Sequence, residues 1–237
     1  MRRGLAASVD DAVELVESGA VRVQGAVATN PGRLVAGADP VVVDGPPPRF
    51  VGRGGEKLDF ALDAFGIDVT RTRAIDVGAS TGGFTDCLLQ RGAAHVVALD
   101  VGHGQLDQRI RTDPRVTVVE RTHVNAADPA ALGAPFATIV ADVSFISLTS
   151  IAGALFERLA APNANVVVLV KPQFEAPRAV VSRGKGVVTD PVEWDAAVGR
   201  VRTAFEACGA AMMGTVTSPI TGASGNTEFL LHAVAGP

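Results

Sequence analysis

Four ionisable residues lie at the ends of predicted helices and strands, where side chains from distant parts of the sequence can meet. They are Lys57, Asp142, Lys171 and Glu228. Asp142 and Lys171 each follow an apolar run, and doubly wound folds bind their ligands at the carboxyl ends of such strands. Either carboxylate alone could equally be a solvated loop charge or a helix cap. Because two amines and two carboxylates share this placement, the sequence predicts that they converge on one reactive site.

Lysine is rare in this chain, which makes the remaining lysines informative. Of 21 basic residues, only Lys57, Lys171 and Lys185 are lysines, and the others are arginines. An amine can be tuned to lose its proton, whereas a guanidinium effectively cannot. Lys171 ends the apolar run 166–170, and Lys57 precedes the first strand of the predicted sheet, so we expect functional roles for both. Lys185 stands in a glycine-rich loop and fits an ordinary surface lysine.

A glycine-rich turn separates a predicted buried strand from the start of a helix. Glycine lets a ligand approach the backbone closely at such a turn. Gly78, Gly82 and Gly83 do not have the G-x-G-x-x-G spacing that holds a pyrophosphate. The spacing therefore favours a nucleoside without a diphosphate, for which S-adenosylmethionine is the commonest ligand on this kind of sheet. Asp100 ends the next apolar run, where such folds place an acid for the ribose hydroxyls.

The predicted cofactor site follows from this turn and from the neighbouring strand ends. Its residues are Asp76, Gly78, Ala79, Ser80, Thr81, Gly82, Gly83, Phe84, Asp100, Val101 and Asp142. The alternative is a nucleotide-dependent oxidoreductase with a nicotinamide cofactor. The glycine spacing argues against that alternative, and it leaves the two lysines without a role.

Length and composition narrow the class of protein. The chain has 237 residues, 47% of them hydrophobic, which is enough for one α/β domain and a small appendage. Its net charge of -4 argues against strong nonspecific nucleic-acid binding, but not against a local basic patch. Cys87 and Cys208 form no C-x-x-C motif and are expected to be reduced. Without a signal peptide, a long apolar run or metal-ligand histidine spacing, we expect a cytoplasmic protein with no metal and no membrane partner.

Strands and helices alternate from residue 73 onward, which predicts a parallel sheet. We predict strands over 74–77, 95–100, 116–120, 136–141 and 166–170, followed by 211–217 and 227–233 as a possible hairpin. Helices are predicted over 83–91, 104–111, 129–132 and 148–160, and from 190 to 208. The fold class is therefore α/β, a Rossmann-like, doubly wound, mostly parallel sheet with a small α+β unit. The predicted divisions are that unit at 1–45, a linker at 46–56 and the main domain at 57–237.

Five motifs, in order along nearly the whole chain, carry a family resemblance. They are G-R-G-G-E-K-L at 52–58, D-V-G-A-S-T-G-G-F-T-D at 76–86, D-V-S-F-I-S at 142–147, V-K-P-Q-F-E at 170–175 and G-N-T-E at 225–228. With these motifs the chain resembles the TlyA-type ribosomal RNA methyltransferases, whose catalytic domain is similar to the FtsJ-like ribose 2′-O-methyltransferases. The resemblance implies a class I methyltransferase fold and an N-terminal S-four-type RNA-binding domain. It also implies S-adenosylmethionine as cofactor, and ribosomal RNA or ribosomal subunits as partner.

The resemblance also assigns roles to the four ionisable residues. The family's Lys-Asp-Lys-Glu tetrad falls on Lys57, Asp142, Lys171 and Glu228. The implied reaction is methyl transfer to a ribose 2′-hydroxyl, of cytidine in the family. A hydroxyl is a poor nucleophile at neutral pH and needs a base within hydrogen-bond reach. We hypothesise that Lys171 is this base, that Lys57 lowers its proton affinity, and that the two carboxylates orient the lysines and the hydroxyl.

RNA contacts are expected from the N-terminal unit and from a few cationic residues of the main domain. These residues are Arg49 and Arg53 before the first helix of that domain, and Arg183 and Lys185 in the loop over 178–185. They would contact phosphates without reading sequence, although they could also be ordinary surface charges. Two departures from the family stand out. The N-terminal domain looks shortened around 2–6, and His103 stands where the family usually has tyrosine.

Two further readings come from other functional classes. The family has carried the label of haemolysin, which would make the protein membrane-active, but the sequence offers no basic amphipathic helix for that. The other is an RNA-binding ribosome-assembly factor whose methylation is dispensable.

Overall fold

The N-terminal unit is a three-stranded antiparallel sheet with one helix. The computed structural model describes residues 5–6, 9–45 and 48–237. Helix α1 spans Val9–Glu17, and strands β1 (Val21–Val23), β2 (Ala26–Val27) and β3 (Val41–Val43) pair in the order β2-β1-β3. None of the nine residues of α1, all of them described, is buried. The small core of this unit centres on Val21, Val23 and Ala28, so the unit can contribute little folding energy of its own.

Two expectations concern residues outside the described part of the chain. The expected shortening around 2–6 falls mostly on Met1–Gly4, and the predicted linker begins at Pro46 and Pro47. The rest of that linker is described. Phe50 and Val51 are buried in the core of the main domain, and the next helix begins at Gly54, inside the range predicted as linker.

A seven-stranded sheet organises the main domain. Its strands are β4 (Arg73–Val77), β5 (His95–Leu99), β6 (Val116–Val119), β7 (Phe136–Ala141), β8 (Ala160–Val170), β9 (Ala211–Thr217) and β10 (Phe229–Val234). Their order is β6-β5-β4-β7-β8-β10-β9; β4 to β8 run parallel, and β10 lies antiparallel between β8 and β9. This confirms the predicted α/β fold and the terminal hairpin. The strand order reverses between β4 and β7, where such sheets open a ligand crevice.

Helices cover both faces of this sheet. They are α2 (Gly54–Phe65), α3 (Gly83–Gln90), α4 (Gln108–Arg111), α5 (Pro129–Leu132), α6 (Pro172–Glu175), α7 (Arg178–Arg183) and α8 (Pro191–Ala207). Alternate strand residues enter two separate cores: Ile75 and Ile139 pack on the face of α8, and Ala74 and Val140 on the face of α2 and α3. Both sides of each central strand are therefore buried, which explains why these strands appear as continuous apolar runs.

Three predicted elements differ from the structure. The helix predicted over 148–160 is a 3-10 turn, Leu148–Ser150, followed by a π-helical stretch, Ala154–Leu159, and the chain then enters β8 at Ala160. The helix predicted over 104–111 forms only from Gln108, because the Asp107 side chain accepts the Arg109 N–H and caps it there. The loop predicted over 178–185 contains the helix α7.

Candidate active site

The glycine-rich turn after β4 lies tightly against the end of β7. Gly78 has a φ of +88°, and a Cβ there would lie 2.5 Å from the carbonyl oxygen of Asp142. The Asp142 N–H in turn donates to the Val77 carbonyl over 3.0 Å. Position 78 therefore needs glycine for its backbone conformation and for the close approach of the next strand.

A cavity of about 480 Å³ opens at the carboxyl ends of β4, β5 and β7. Five predicted cofactor residues line it, namely Gly78, Ser80, Asp100, Val101 and Asp142. A smaller cavity beside it is lined by Gly54, Gly78, Ala79, Ser80, Thr81, Gly83, Phe84 and Asp142. The two cavities share the turn and Asp142, so one elongated ligand can extend over both. His103 does not line the larger cavity.

Asp100 is held in place by the backbone around the larger cavity. Its Oδ2 accepts the Ser80 N–H over 2.7 Å and its Oδ1 accepts the Gly102 N–H over 2.6 Å. A carboxylate oxygen can accept a second hydrogen bond. Asp100 is thus fixed on the cavity wall and still able to accept the hydroxyls of a ribose.

Asp76 lies behind the turn rather than on the wall of either cavity. Its carboxylate is fully buried; Oδ2 accepts the Thr85 hydroxyl over 2.6 Å, and Oδ1 has no partner among the described residues. Burial raises the pKa of Asp76 to about 7, against the hydrogen bond from Thr85, and the negative charges of Asp142 and Asp100 add to the rise. The structure thus places Asp76 as a buried support of the turn.

The four ionisable residues form two ion pairs. Lys57 Nζ lies 2.6 Å from Glu228 Oε2, and the side chains are 9% and 3% exposed. Lys171 Nζ lies 2.6 Å from Asp142 Oδ1, with side chains 12% and 23% exposed. Lys171 also donates to the Ser144 hydroxyl over 2.8 Å. Asp142 and Ser144 both line the larger cavity, so the second pair is the one that borders it.

Strand register brings the two pairs to the same edge of the sheet. Phe229 of β10 pairs with Val170 of β8, so Glu228 and Lys171 are the next residues on adjacent strands. Lys57 reaches this edge from the first turn of α2. Asp142 follows β7, which lies on the other side of β8. The sheet thereby gathers residues that are far apart in sequence.

The turn over 222–226, which leads into the motif G-N-T-E, encloses Glu228. A Cβ at Gly222 would collide with Glu228 Oε1. The buried Asn226 accepts the Val188 N–H over 2.9 Å and donates to the Gly186 carbonyl over 3.0 Å. The motif G-N-T-E was the available signal, since a buried asparagine between glycine and an acid needs partners.

The cationic residues expected to contact RNA fall into two groups. Arg49 pairs with Asp59 and lies over the Phe50 ring at 4.6 Å. Arg53 lies 3.1 Å from Glu14 of α1 and donates to the Thr221 carbonyl over 2.6 Å. Arg183 and Lys185 are exposed, and the structure gives their side chains no partner within the described residues. Arg53 therefore joins the N-terminal unit to the loop before Glu228, whereas the second group faces solvent.

The described residues show neither a metal site nor a membrane-spanning helix. Among residues 5–6, 9–45 and 48–237, no group of three or more histidines, cysteines, aspartates or glutamates is placed to hold a metal ion. Within the same ranges, no helix has the length and apolarity to cross a membrane.

Known proteins resemble this chain in sequence and in structure. The model of the FtsJ-like methyltransferase family matches residues 50–234. The 16S/23S rRNA (cytidine-2′-O)-methyltransferase TlyA of Mycobacterium tuberculosis is 46% identical over 98% of this chain and 86% of its own length. Hemolysin A of Brachyspira hyodysenteriae is 39% identical over 98% of this chain and 95% of its own length.

A solved structure resembles this chain over nearly its whole length. A Streptococcus thermophilus protein described as a candidate hemolysin superimposes with a TM-score of 0.82, at 36% identity, over 99% of this chain and 86% of its own. The family match covers both cavities and both ion pairs, and the geometry of the turn and of Asp100 fits a nucleoside cofactor. The chain therefore belongs to the FtsJ-like methyltransferase family, and S-adenosylmethionine is its methyl donor.

Proposed function

We propose that this protein transfers a methyl group from S-adenosylmethionine to a ribose 2′-hydroxyl of ribosomal RNA, with cytidine as the methylated nucleoside. The observation that carries the proposal is the Lys171–Asp142 pair on the border of the cofactor cavity. The Mycobacterium tuberculosis relative supports the substrate, since that protein is a 16S/23S rRNA (cytidine-2′-O)-methyltransferase. On this proposal the protein works in the cytoplasm, where ribosomes are.

The proposed cofactor-binding residues act by holding the cofactor in a fixed orientation. The backbone of the turn at Gly78 approaches the ligand closely, and Asp100 accepts the ribose hydroxyls. The bound cofactor supplies a methyl group on a positively charged sulfur. Holding this methyl in line with the attacking oxygen gives the larger part of the rate increase, because orientation removes most of the entropic barrier.

Lys171 is the proposed base. Its neutral amine would accept the 2′-hydroxyl proton while the oxygen–methyl bond forms and the methyl–sulfur bond breaks, with the sulfur leaving as a neutral thioether. General-base help of this kind is worth about 10²–10⁴-fold. Asp142 and Ser144 contact the same amine and fix its direction. The buried Lys57–Glu228 pair stands at the same edge of the sheet, since Glu228 and Lys171 are the next residues on adjacent strands.

RNA binding is proposed for the N-terminal unit and the exposed cations. Residues 1–45 are proposed as an S-four-type RNA-binding domain, and Arg183 and Lys185 as phosphate contacts. Arg49 and Arg53 already have protein partners, so a phosphate would have to share them. The linker 46–56 and main domain 57–237 remain the proposed divisions of the chain.

The test is methyl transfer from labelled S-adenosylmethionine to ribosomal subunits. Wild type, Lys171→Ala and the matched surface variant Arg202→Ala are compared. We expect label on a ribose 2′-oxygen with wild type and Arg202→Ala, and loss of label with Lys171→Ala. Label on a base, or none on any subunit, would contradict the proposal. If the protein transfers no label but makes liposomes leak, the haemolysin alternative is favoured. If it binds ribosomal RNA without transferring a methyl group, the assembly-factor alternative is favoured.

A further inference from the structure

We propose that Glu175 is a positioning residue that holds the loop 142–147 against Lys171 and so sets the geometry of the Lys171–Asp142 pair. The proposal rests on the proposed function, because it concerns the base of that reaction. Glu175 itself does not line either cavity, so its effect on the reaction must pass through this loop.

Glu175 is called a clamp here because it binds two segments to each other: its own helix α6 and the chain at Ser147 and Leu148. Glu175 Oε2 accepts the Ser147 hydroxyl over 2.5 Å, and Oε1 accepts the Leu148 N–H over 2.8 Å. The second bond satisfies a free N–H at the start of the 3-10 turn, which a buried backbone group requires. Both carboxylate oxygens are therefore used to hold one short stretch of backbone that continues from Asp142.

Glu175 is the last of a series of contacts between the same two segments. Lys171 begins the series at Asp142 and Ser144. Phe174 continues it, with its ring 5.3 Å from the ring of Phe145. Pro172 stands at the first position of α6, where its fixed φ suits a helix start, and the short helix turns Phe174 and Glu175 toward the loop.

The backbone of the loop needs such a clamp. Phe145 has a φ of +69° and is 88% exposed. A bulky residue in the left-handed region is strained, and the strain persists only where surrounding contacts fix the backbone. Because Phe145 is largely exposed, its own packing supplies little of this restraint. The Glu175 bonds fix the backbone at Ser147 and Leu148, two and three residues further along the chain.

Glu175 is itself braced from the opposite side. Arg200 of α8 donates from Nε to the Glu175 carbonyl over 2.9 Å. Burial raises the pKa of the Glu175 carboxyl, while the bonds from Ser147 and Leu148 and the charge of Arg200 oppose the rise. A rigid helix thus supports the clamp, so a change at Glu175 should move the loop rather than the sheet.

The experiment separates clamping from simple folding. Glu175→Ala removes both bonds, whereas Glu175→Gln can keep both, because its amide oxygen accepts from Leu148 and its amide nitrogen donates to Ser147. Ser147→Ala, at a partly exposed position, removes the bond to Glu175 Oε2 together with the bonds of the same hydroxyl to Thr149, and it gives a second variant should Glu175→Ala misfold. Asp128→Ala is the matched control, since it removes a carboxylate that caps α5 by accepting the Ala130 N–H over 3.0 Å. For each full-length variant, kcat and KM for ribosomal subunits and the melting temperature are measured.

We expect kcat of Glu175→Ala to fall about 10- to 100-fold with little change in KM, as a misplaced catalytic group does. Ser147→Ala should fall less, and Glu175→Gln and Asp128→Ala should stay near wild type. A wild-type kcat in Glu175→Ala or Ser147→Ala, or a Glu175→Gln variant as slow as Glu175→Ala, would overturn the inference alone. A wild-type protein that methylates no RNA would overturn the proposed function, and the inference with it.

Discussion

Two lysine–carboxylate pairs with the same 2.6 Å separation stand at one edge of the sheet in different surroundings. Lys57 and Glu228 are closed off from water, and Glu228 lies within a loop fastened by Asn226. Asp142 and Ser144 line the cofactor cavity, and Lys171 contacts both of them. On the proposed function, equal ion-pair geometry serves two purposes: the Lys57–Glu228 pair holds the site together, and the Lys171–Asp142 pair takes part in the reaction.

Burial explains why the two pairs should respond differently to mutation. Removing one partner of a buried pair leaves an uncompensated charge, which costs much more than the pair itself contributes. The side chains of Lys171 and Asp142 are 12% and 23% exposed, so water reaches a charge left behind there more easily, and we expect a smaller loss of stability. We therefore expect mutations of the Lys57–Glu228 pair mainly to lower the free energy of unfolding, and mutations of the Lys171–Asp142 pair mainly to lower the rate of methyl transfer.

The largest expected effect is on the rate of Lys171→Arg. Arginine keeps the charge and can keep the pair with Asp142, but its guanidinium cannot lose a proton to act as a base. Methyl transfer should fall about 10²–10⁴-fold, while cofactor affinity and the free energy of unfolding stay near wild type. Single-turnover transfer from labelled cofactor measures the rate. A variant that keeps most of its activity would show that the pair only positions the RNA or the cofactor.

Lys57→Ala should have the next largest effect, on folding. It leaves the Glu228 carboxylate buried without its partner, which we expect to lower the free energy of unfolding by about 3–5 kcal/mol. Adding Glu228→Gln removes the stranded charge and should restore part of that loss. Urea unfolding of the two variants measures the difference. If the single variant were as stable as wild type, the two pairs would not differ in the way their burial suggests.

Asp76 extends the comparison to a buried carboxylate that has no lysine. Burial raises its pKa from 3.8 to about 7, so the folded state keeps a proton that the unfolded chain has lost. The free energy of unfolding should therefore fall as the pH rises from 3.8 to about 7, by about 4 kcal/mol at most, and should become constant at higher pH.

Asp76→Asn cannot titrate and should lack this slope, whatever its absolute stability. Urea unfolding between pH 5 and pH 8 (about the range in which the slope is steepest and then ends) compares the two proteins. The same pH dependence in both proteins would mean that Asp76 is ionised throughout and finds a partner for its Oδ1 that the described structure does not show.

Much of the fold could be predicted from local patterns. β7 and β9 begin and end where their runs predict. β7 is a central strand buried on both faces and needs a continuous apolar run, whereas β9 is an edge strand and alternates along its length. The stretch 148–160 was predicted wrongly as one helix. Its apolar content suits a helix, but its first turn is a 3-10 turn that Ser147 caps locally and that Glu175 also holds, by accepting the Leu148 N–H from 27 residues away. No local pattern carries that contact.

The candidate site was predicted only as far as residue types and element ends allow. The rarity of lysine and the ends of strands pointed to Lys57 and Lys171, but not to which carboxylate each would face. Lys57 and Glu228 are 171 residues apart, and their pairing depends on the antiparallel insertion of β10 beside β8. The supporting residues Ser144 and Glu175 have ordinary types at ordinary positions, so only the folded arrangement identifies them.

The smallest effect is expected where a pair is most exposed. Arg22 Nε lies 2.5 Å from Asp44 Oδ2 in the N-terminal sheet, and both side chains are 45% exposed. A double-mutant cycle with Arg22→Ala and Asp44→Ala should give a coupling energy of about 0.2–1 kcal/mol, and added salt should reduce it. Hydrogen exchange of the Asp44 amide, which donates to the Ala20 carbonyl over 2.7 Å, reports local opening of this sheet.

Since the distance in the Arg22–Asp44 pair is no longer than in the two pairs of the active site, a coupling of several kcal/mol would show that distance rather than burial sets the strength of these pairs. A small coupling would leave burial as the variable that separates all three.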